Sequence, residues 1–344
     1  MKTSPISISI VIPVYNGGDA FRHCLVSIKE SLRSPDELIV VSDGDTDGSW
    51  QVAEDMGAKV LRLPGPGGPA RARNIGTKAA KGDIIFFVDA DVTLHPNTLS
   101  LVEQRFQQRP DLAALIGSYD DAPGADNFLS QYKNLFHHYT HQTSSEIAST
   151  FWGACGAIRR PIFLAVGGFD ERYTKPCIED IELGYRLKQA GHDIRLYKDI
   201  QVKHLKRWQP ISLLRAEIVY RALPWTALIL SKQRFEADLN LSHTNRVSVI
   251  GVFSLILSLM AGFFVPWLWW MSVTISLGLL LINFNVYRFF YIKRGWWFTL
   301  RVIPWHWFYF FYGGGAFAYG LLQHHLGAFL RLSTPMVLGF RRSR

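Results

Sequence analysis

The stretch IIFFVDAD, residues 84–91, carries the strongest indication of the fold. Its first five residues are apolar and rich in β-branched and aromatic side chains, which is typical of a buried β-strand. Asp89 and Asp91 follow directly. In open α/β sheets, ligands bind beyond the carboxyl ends of the strands, and Mg²⁺ often links protein carboxylates to substrate phosphates. The stretch therefore predicts a metal–diphosphate site, with a solvated turn as the simpler alternative.

The chain before residue 84 alternates between strand patterns and helix patterns. We predict strands at 6–14, 37–42 and 59–63, and helices at 20–31, 50–56 and 70–80. Strands that alternate with helices are typical of a mostly parallel, doubly wound α/β sheet. Because the carboxyl ends of parallel strands meet at one edge, the polar residues after three strands should converge there. They are Tyr15-Asn16, Asp43 and the pair Asp89/Asp91.

A loop of glycine and proline, residues 64–69, precedes the helix predicted at 70–80. Arg71 and Arg73 lie near the start of that helix. A helix N-terminus combined with guanidinium groups favours the binding of a phosphate. Two solvated surface arginines are the simpler alternative.

Charge divides the chain after Arg246. The 344 residues carry a formal net charge of +9, yet no Asp or Glu follows Arg246, whereas eight Lys and Arg residues do. Residues 1–246 account for only the remaining +1, an ordinary soluble composition. Residues 247–344 are apolar, aromatic and basic, as membrane segments are. Because the excess charge lies beside hydrophobic segments, the sequence argues against a nucleic-acid partner.

Residues 247–287 carry no charged side chain. About 20 helical residues cross the core of a bilayer, so we predict two transmembrane helices, at about 247–265 and 268–287. A third apolar segment, at about 302–322, spans the bilayer, re-enters it or lies at its surface. We expect an amphipathic interfacial linker at 211–246 after a soluble domain at 1–210. A buried helical hairpin in a soluble protein is the alternative.

The positive residues around the predicted hairpin indicate its orientation. Arg246 and the basic stretch 288–301 flank it on one side, and an excess of Lys and Arg marks the cytoplasmic side. We therefore expect a multi-pass protein of the plasma or inner membrane, with the soluble domain cytoplasmic. A third span would place Arg341, Arg342 and Arg344 outside, which the same rule disfavours.

Seven short motifs follow one another in an order that resembles the family 2 glycosyltransferases, over about residues 6–210. They are IVIPVYN (10–16), VSDG (41–44), ARNIG (72–76), FVDAD (87–91), GGFD (167–170), ED (179–180) and HLKRW (204–208). The resemblance implies a GT-A fold, which is Rossmann-like with a mostly parallel sheet. It also implies a glycosyltransferase, of a membrane-anchored kind given the helices predicted after the domain.

The implied reaction is inverting transfer of a sugar from a nucleotide-diphosphate sugar, expected to be a UDP-sugar, to a lipid or lipid-linked acceptor. By resemblance, Mg²⁺ or Mn²⁺ neutralises the leaving diphosphate, and its ligands are Asp89, Asp91 and His204. A hydrogen-bonded structural role is the alternative for His204. The predicted donor-binding residues are Pro13, Tyr15, Asn16, Asp43, Arg73, Asn74 and Asp89.

The acceptor hydroxyl must lose a proton, and Asp180 is the predicted general base. A carboxylate in a water-poor cleft near other acids has its pKa raised toward neutrality. The simpler alternative is that Glu179 and Asp180 are only the acidic first turn of a helix, where acids favour the helix dipole. Glu179, Arg207 and Trp208 are predicted to contact the acceptor or to close the site.

A polar and aromatic helix is predicted at 126–142, with His137, His138 and His141. No nearby acid completes a metal site, so a helix that lines the acceptor path is the favoured interpretation.

Two departures from the family pattern leave other functions open. Ser42-Asp43 replaces the common pair of aspartates, and His204 replaces the glutamine of processive members. A processive polysaccharide synthase is one alternative, although two or three spans are few for a translocation channel. A sugar-1-phosphate nucleotidyltransferase is another, although its basic glycine-rich loop is absent after the first strand. A non-catalytic membrane scaffold is the third.

Overall fold

The computed structural model describes residues 6–232 and 243–330, with side chains described to residue 324. The described chain forms two compact units, residues 6–208 and residues 209–330. Parts of the predicted linker (233–242) and of the predicted membrane region (331–344) lie outside the described residues. So do Arg341, Arg342 and Arg344, on which part of the orientation argument depended.

The first unit alternates strands and helices, as the sequence predicts. In chain order its elements are β1 (Ile8–Val14), α1 (Gly18–Lys29), β2 (Glu37–Ser42), α2 (Ser49–Asp55), β3 (Lys59–Arg62), α3 (Pro69–Ala79), β4 (Ile84–Val88), β5 (Val92–Leu94), α4 (Thr98–Gln108), β6 (Ala114–Tyr119), α5 (Phe128–Thr143), β7 (Cys155–Arg159), α6 (Arg160–Ala165), α7 (Glu179–Gln189) and β8 (Ile194–His204).

The strands of residues 6–208 form one eight-stranded sheet in the order β3-β2-β1-β4-β7-β6-β8-β5. The first half is parallel, since β1 pairs with β2 and β4, and β2 pairs with β3. The second half is mixed, because β7 runs antiparallel to both β4 and β6, and β5 runs antiparallel to β8. The expected α/β class is therefore confirmed. The sheet is mixed but mostly parallel, because β6 pairs in parallel with β8, so that six of its eight strands run in one direction and only β7 and β5 run in the other.

Strand β4 lies at the centre of the sheet with all five residues buried. This burial explains its continuous apolar sequence, because a strand covered on both faces has no solvent-exposed side. On one face Phe87 packs against Phe151, Phe163 and Phe169, with ring centroids 5.2–6.1 Å away. The residues after β4 are thus attached to a fully buried strand at the centre of the sheet.

The second unit is helical within the described residues. It contains α8 (Pro210–Glu217), a π-helical turn (Ile218–Ala222), α9 (Leu223–Lys232), α10 (His243–Ala261), α11 (Leu268–Ile282) and α12 (Phe284–Leu330), which is interrupted at Gly295 (φ +79°). By length and composition, α10 alone could cross a bilayer. Helices α11 and α12 pass the same test only as a pair, bent by 65°. The two predicted spans thus correspond to helices, but one or two crossings fit the described residues, and the segment 302–322 is part of α12.

The helices of the second unit bury several polar side chains and expose many large apolar ones, although an apolar cluster is buried as well. Ser248, Ser258, Ser272 and Asn283 are buried between helices, whereas Ile250, Leu257, Leu277 and Leu281 are each more than half exposed. The buried groups bond to one another: the Asn283 amide donates to the Ser248 hydroxyl at 2.9 Å, and the hydroxyls of Ser258 and Ser272 lie 2.8 Å apart.

We predict that Gly184→Ala destabilises the first unit by about 1–3 kcal/mol, because overpacking costs about that much. Gly184 lies on α7, where a Cβ atom would overlap the backbone of Thr150 and Phe151. Thermal unfolding measures the loss. The matched control is Gly278→Ala on α11, where an added Cβ meets no atom within 4 Å. Equal stability of the two variants would contradict the prediction.

Candidate active site

The carboxyl ends of β1, β2 and β4 lie side by side because these three strands are parallel neighbours. Asp43, after β2, is buried and accepts hydrogen bonds from the backbone N–H groups of Gly67 (2.9 Å) and Gly68 (2.7 Å). The glycine-rich loop is therefore attached to Asp43, one of the predicted donor-binding residues. Gly68 has φ +92° and lies against the Thr174 carbonyl, so only glycine fits there.

The other predicted donor-binding residues of this region lie at the end of β1 or directly after it. Tyr15 is 56% exposed, and Pro13 is half-buried. The side-chain oxygen of Asn16 accepts a hydrogen bond from the Thr46 N–H at 2.8 Å. This bond joins the segment after β1 to the loop that follows Asp43. An exposed aromatic ring beside an anchored carboxylate is suited to a planar base.

Arg73 is the centre of the site. Its guanidinium is buried and pairs with Asp89 (Nη2–Oδ1, 2.6 Å) and with Glu179 (Nη1–Oε1, 3.0 Å). Arg73 therefore joins the end of β4 to the start of α7, two segments about 90 residues apart in the sequence. Both of these guanidinium nitrogens already face carboxylates, so contact of Arg73 with a donor stays a prediction that the structure does not favour.

The side-chain amide of Asn74, beside Arg73 on α3, also forms its hydrogen bonds within the protein. Its amide oxygen accepts from the Phe169 N–H (2.8 Å), and its amide nitrogen donates to the Phe169 carbonyl (2.8 Å) and to Glu171 (2.9 Å). The loop of the GGFD motif is thus held by Asn74. A direct contact between Asn74 and a donor remains untested.

Asp91 and His204 face each other across the pairing of β5 with β8. Their nearest atoms, Oδ2 and Nε2, are 3.5 Å apart. Burial acts to raise the pKa of Asp91, but the neighbouring basic side chains of His204 and Lys206 together outweigh burial and hold that pKa below its usual value. Asp91 is therefore ionised at neutral pH, as a ligand for a divalent cation must be.

A metal would find two ligands here, not three. Within the described part of the chain, no group of three His, Cys, Asp or Glu side chains is gathered closely enough to hold a metal ion. Asp89 points its carboxylate at Arg73. Asp91 and His204 fit Mg²⁺ or Mn²⁺ as a pair, since such ions take one or two protein ligands and complete their shell with water and phosphate oxygens. The three histidines of α5 form no such group either.

Asp180 lies in the first turn of α7. The N–H groups of Gly153 and Ile181 donate to its carboxylate, at 3.1 and 2.8 Å. Burial, and then the charge of Glu179, raise the pKa of Asp180 to about 6. The acids therefore begin a helix, as the simpler alternative predicted. The role of Asp180 as a general base stays a prediction, and the raised pKa is in its favour.

Arg207 and Trp208 are neighbours in the sequence but differ in their exposure to solvent. Arg207 is exposed and pairs with the exposed Asp126, at 3.1 Å. Trp208 is buried, and its backbone N–H donates to the Ser130 hydroxyl of α5 at 2.7 Å. Their predicted roles in closing the site are untested.

Sequence reasoning missed the buried polar face of α5. Ser130 and Asn134 are buried on this face, and Asn134 Oδ1 lies 2.7 Å from His204 Nδ1. The signal was the four-residue spacing of Ser130, Asn134 and His138, which places all three on one side of a helix. It also missed the Gly153 N–H, which no side-chain pattern can reveal.

Comparison with known proteins identifies the domain. The model of the family described as "Glycosyl transferase family 2" matches residues 9–167, from β1 to the GGFD motif. The chain carries a family 2 glycosyltransferase domain. The glycosyltransferase predicted from the ordered motifs is therefore confirmed at the level of the family.

Curated relatives agree with this family. The glycosyltransferase GlyG of Streptococcus pneumoniae is 34% identical over 117 residues, which is 33% of this chain and 38% of that protein. The pre-mycofactocin glycosyltransferase of Mycobacterium tuberculosis is 30% identical over 215 residues, 59% of this chain and 43% of that protein. The chain thus matches less than half the length of either relative.

A solved structure supports the fold. The mannosyltransferase PcManGT of Pyrobaculum calidifontis, at 16% identity, aligns with a TM-score of 0.56 over 92% of this chain and 88% of its own. The sheet of the glycosyltransferase domain is therefore of the GT-A type.

We predict that transferase activity rises with pH through about 6, because Asp180 must lose its proton before it can accept another. Glu179→Gln should move this acidic limb of the kcat/KM profile to lower pH. The substitution removes the negative charge that, after burial, raises the pKa of Asp180.

The matched control is Glu182→Gln in the same helical turn. Its carboxylate is bound to Arg186 at 2.8 Å, and it is not among the main causes of the raised pKa of Asp180. An acidic limb that stays in place in Glu179→Gln, or moves equally in both variants, would argue against this assignment of the base.

Proposed function

We propose that this glycosyltransferase transfers a sugar, with inversion, from a nucleotide-diphosphate sugar to a lipid or lipid-linked acceptor at the cytoplasmic face of a membrane. One observation carries the proposal. Arg73 joins Asp89, at the strand end expected to hold the donor, to Glu179, which precedes the candidate base Asp180. A donor side and an acceptor side are therefore built on one buried ionic network.

The donor would lie along the ends of β1, β2 and β4. Tyr15 offers an exposed ring for the base, and Asp43 a carboxylate held in place by the Gly67 and Gly68 N–H groups. The Pyrobaculum mannosyltransferase was solved with GDP-Man and Mn²⁺, which supports a nucleotide sugar as the class of donor. We propose a UDP-sugar as the donor, and a binding screen with different nucleotide sugars tests this choice of nucleotide.

The chemistry assigned to the protein is proton transfer and positioning. Asp180 accepts the proton of the acceptor hydroxyl as its oxygen forms a bond to the anomeric carbon. The bond from that carbon to the diphosphate oxygen breaks, and its electron pair leaves with the diphosphate. A bound Mg²⁺ or Mn²⁺ supplies charge neutralisation for this leaving group. Asp91 and His204 would hold it, with Asp89 nearby and fixed by Arg73.

The second unit supports a membrane location. In water, large apolar side chains are mostly packed inward, whereas α10 and α11 leave many of theirs exposed and bury Ser248, Ser258 and Ser272. Small and hydroxyl-bearing residues between helices are typical of packing within lipid, where interhelical hydrogen bonds assist association. Gly251, for example, lies against Leu279. A hairpin of this kind would keep the glycosyltransferase domain close to a lipid acceptor.

The alternatives receive less support. The family match favours glycosyl transfer over nucleotidyl transfer. One or two candidate crossings in the described chain are few for the channel of a processive synthase.

We predict that Asp180→Asn abolishes transfer but retains donor binding, whereas Asp91→Asn weakens donor binding in the presence of Mn²⁺. The first variant removes the base and keeps the shape of the side chain. The second removes a charge assigned to the metal. Calorimetry with a panel of nucleotide sugars measures binding, and product formation measures transfer. Wild-type activity in Asp180→Asn would contradict the assigned base, and failure of the wild type to bind any nucleotide sugar would overturn the proposed function.

We predict that the full-length protein stays in the membrane fraction after extraction with alkaline carbonate. The double variant Ile250→Arg/Leu277→Arg should lose this retention, because a charge at the centre of a spanning helix costs on the order of 2.5–3.5 kcal/mol. Leu32→Arg, which changes an equally exposed leucine of the first unit, is the matched control. Carbonate release of the wild type, or equal retention of all variants, would contradict the membrane assignment.

A further inference from the structure

Helix α5 presents a buried face of polar side chains to the site. Ser130 accepts the N–H of Trp208 (2.7 Å), Asn134 contacts His204 (2.7 Å), and His138 Nδ1 lies 2.7 Å from the carbonyl of Tyr119. These contacts follow one another at one-turn spacing along the helix. The helix therefore holds the end of β8, and His204 with it, through hydrogen bonds.

The imidazole of His204 is fixed in two ways. Its ring stacks on Tyr119, with centroids 4.5 Å apart and an angle of 8° between the planes. Its Nδ1 lies 2.7 Å from Asn134 Oδ1, and both residues are buried. Stacking fixes the plane of the ring, and the hydrogen bond fixes its rotation within that plane.

This hydrogen bond also determines which ring nitrogen carries the proton. An amide oxygen only accepts, so the Nδ1 of His204 must donate to Asn134. Nε2 of the neutral ring then has a free lone pair, which points toward the carboxylate of Asp91. Two acceptors cannot hydrogen-bond to each other, and with 3.5 Å between them these two are placed to share a cation.

We propose that Asn134 is a positioning residue for the metal centre, which holds His204 with Nε2 available to the same Mg²⁺ or Mn²⁺ as Asp91. The inference rests on the proposed function, because it assumes the metal-dependent donor site. Metal-binding histidines generally donate their second ring N–H to an oxygen that sets the tautomer. Here a neutral amide from a separate helix performs that task.

The competing interpretation is a structural histidine, for which the bond to Asn134 only stabilises packing. The two differ in what Asn134→Asp does. A carboxylate accepts from Nδ1 as well as an amide does, so metal binding survives if the tautomer is what matters. Asn134→Leu has a similar volume and cannot accept, so the tautomer is no longer fixed.

The experiment measures Mn²⁺ binding to the full-length protein by electron paramagnetic resonance, with UDP and, separately, with GDP. Asn134→Leu should weaken Mn²⁺ binding by about 10- to 100-fold, the usual effect of losing such a partner. Asn134→Asp should remain close to the wild type. Once His204 is replaced in His204→Ala, adding Asn134→Leu should cause no further loss, because the two residues act through one contact.

The matched control is Gln142→Leu, which removes another α5 amide that bonds to β8, at the Lys198 carbonyl (3.0 Å). This variant should bind Mn²⁺ as the wild type does. Thermal unfolding without metal shows whether each variant is folded. In ¹⁵N spectra without metal, Nδ1 of His204 should carry the proton in the wild type and in Asn134→Asp, and lose this preference in Asn134→Leu.

The outcomes separate the inference from the proposed function. Wild-type Mn²⁺ affinity in a folded Asn134→Leu, or a proton on Nε2 in the wild type, would overturn the inference alone. A wild type that binds no Mn²⁺ with either nucleotide would overturn the metal-dependent function and the inference together.

Discussion

The buried guanidinium of Arg73 is the interaction on which the site depends. A charge removed from water is costly unless it is paired, and two carboxylates pair it here: Asp89 and Glu179. Asp89 directly follows β4 and Glu179 is the first residue of α7, so the ionic network fixes the start of this helix against the end of the central strand. The same network leaves Asp180 beside a negative neighbour, and that arrangement contributes to its pKa of about 6.

Local sequence patterns predicted the first strands and helices and the polar residues at the strand ends. They did not predict which strands pair with each other across the sheet. β2 and β4 have the predicted bounds, and Tyr15, Asp43 and Asp89 converge because β1, β2 and β4 are parallel neighbours. Strands β5 to β8 were not predicted, and β7 shows why. It inserts between β4 and β6 from a distance of some 70 residues, and no local periodicity records such a pairing.

The site shows the same division. Residue types at strand ends indicated carboxylates and a base, whereas the contacts of Arg73, Asn74 and His204 span 16 to 106 residues of sequence. A helix-start arginine therefore suggested a phosphate contact, although folding supplies it with protein carboxylates. In the second unit, by contrast, composition alone indicated a membrane location. The buried serines of α10 and α11 agree with that indication.

Asp180 is positioned almost entirely by main chain. Its carboxylate accepts from two backbone N–H groups, and α7 is seated through Gly184 directly on the backbone of Thr150 and Phe151. The location of the base is thus independent of most side chains around it. Under the proposed function, side chains that line the acceptor path can be exchanged without moving the proposed proton acceptor, because main-chain groups hold it. Such a separation lets one scaffold acquire new acceptors while its chemistry stays unchanged.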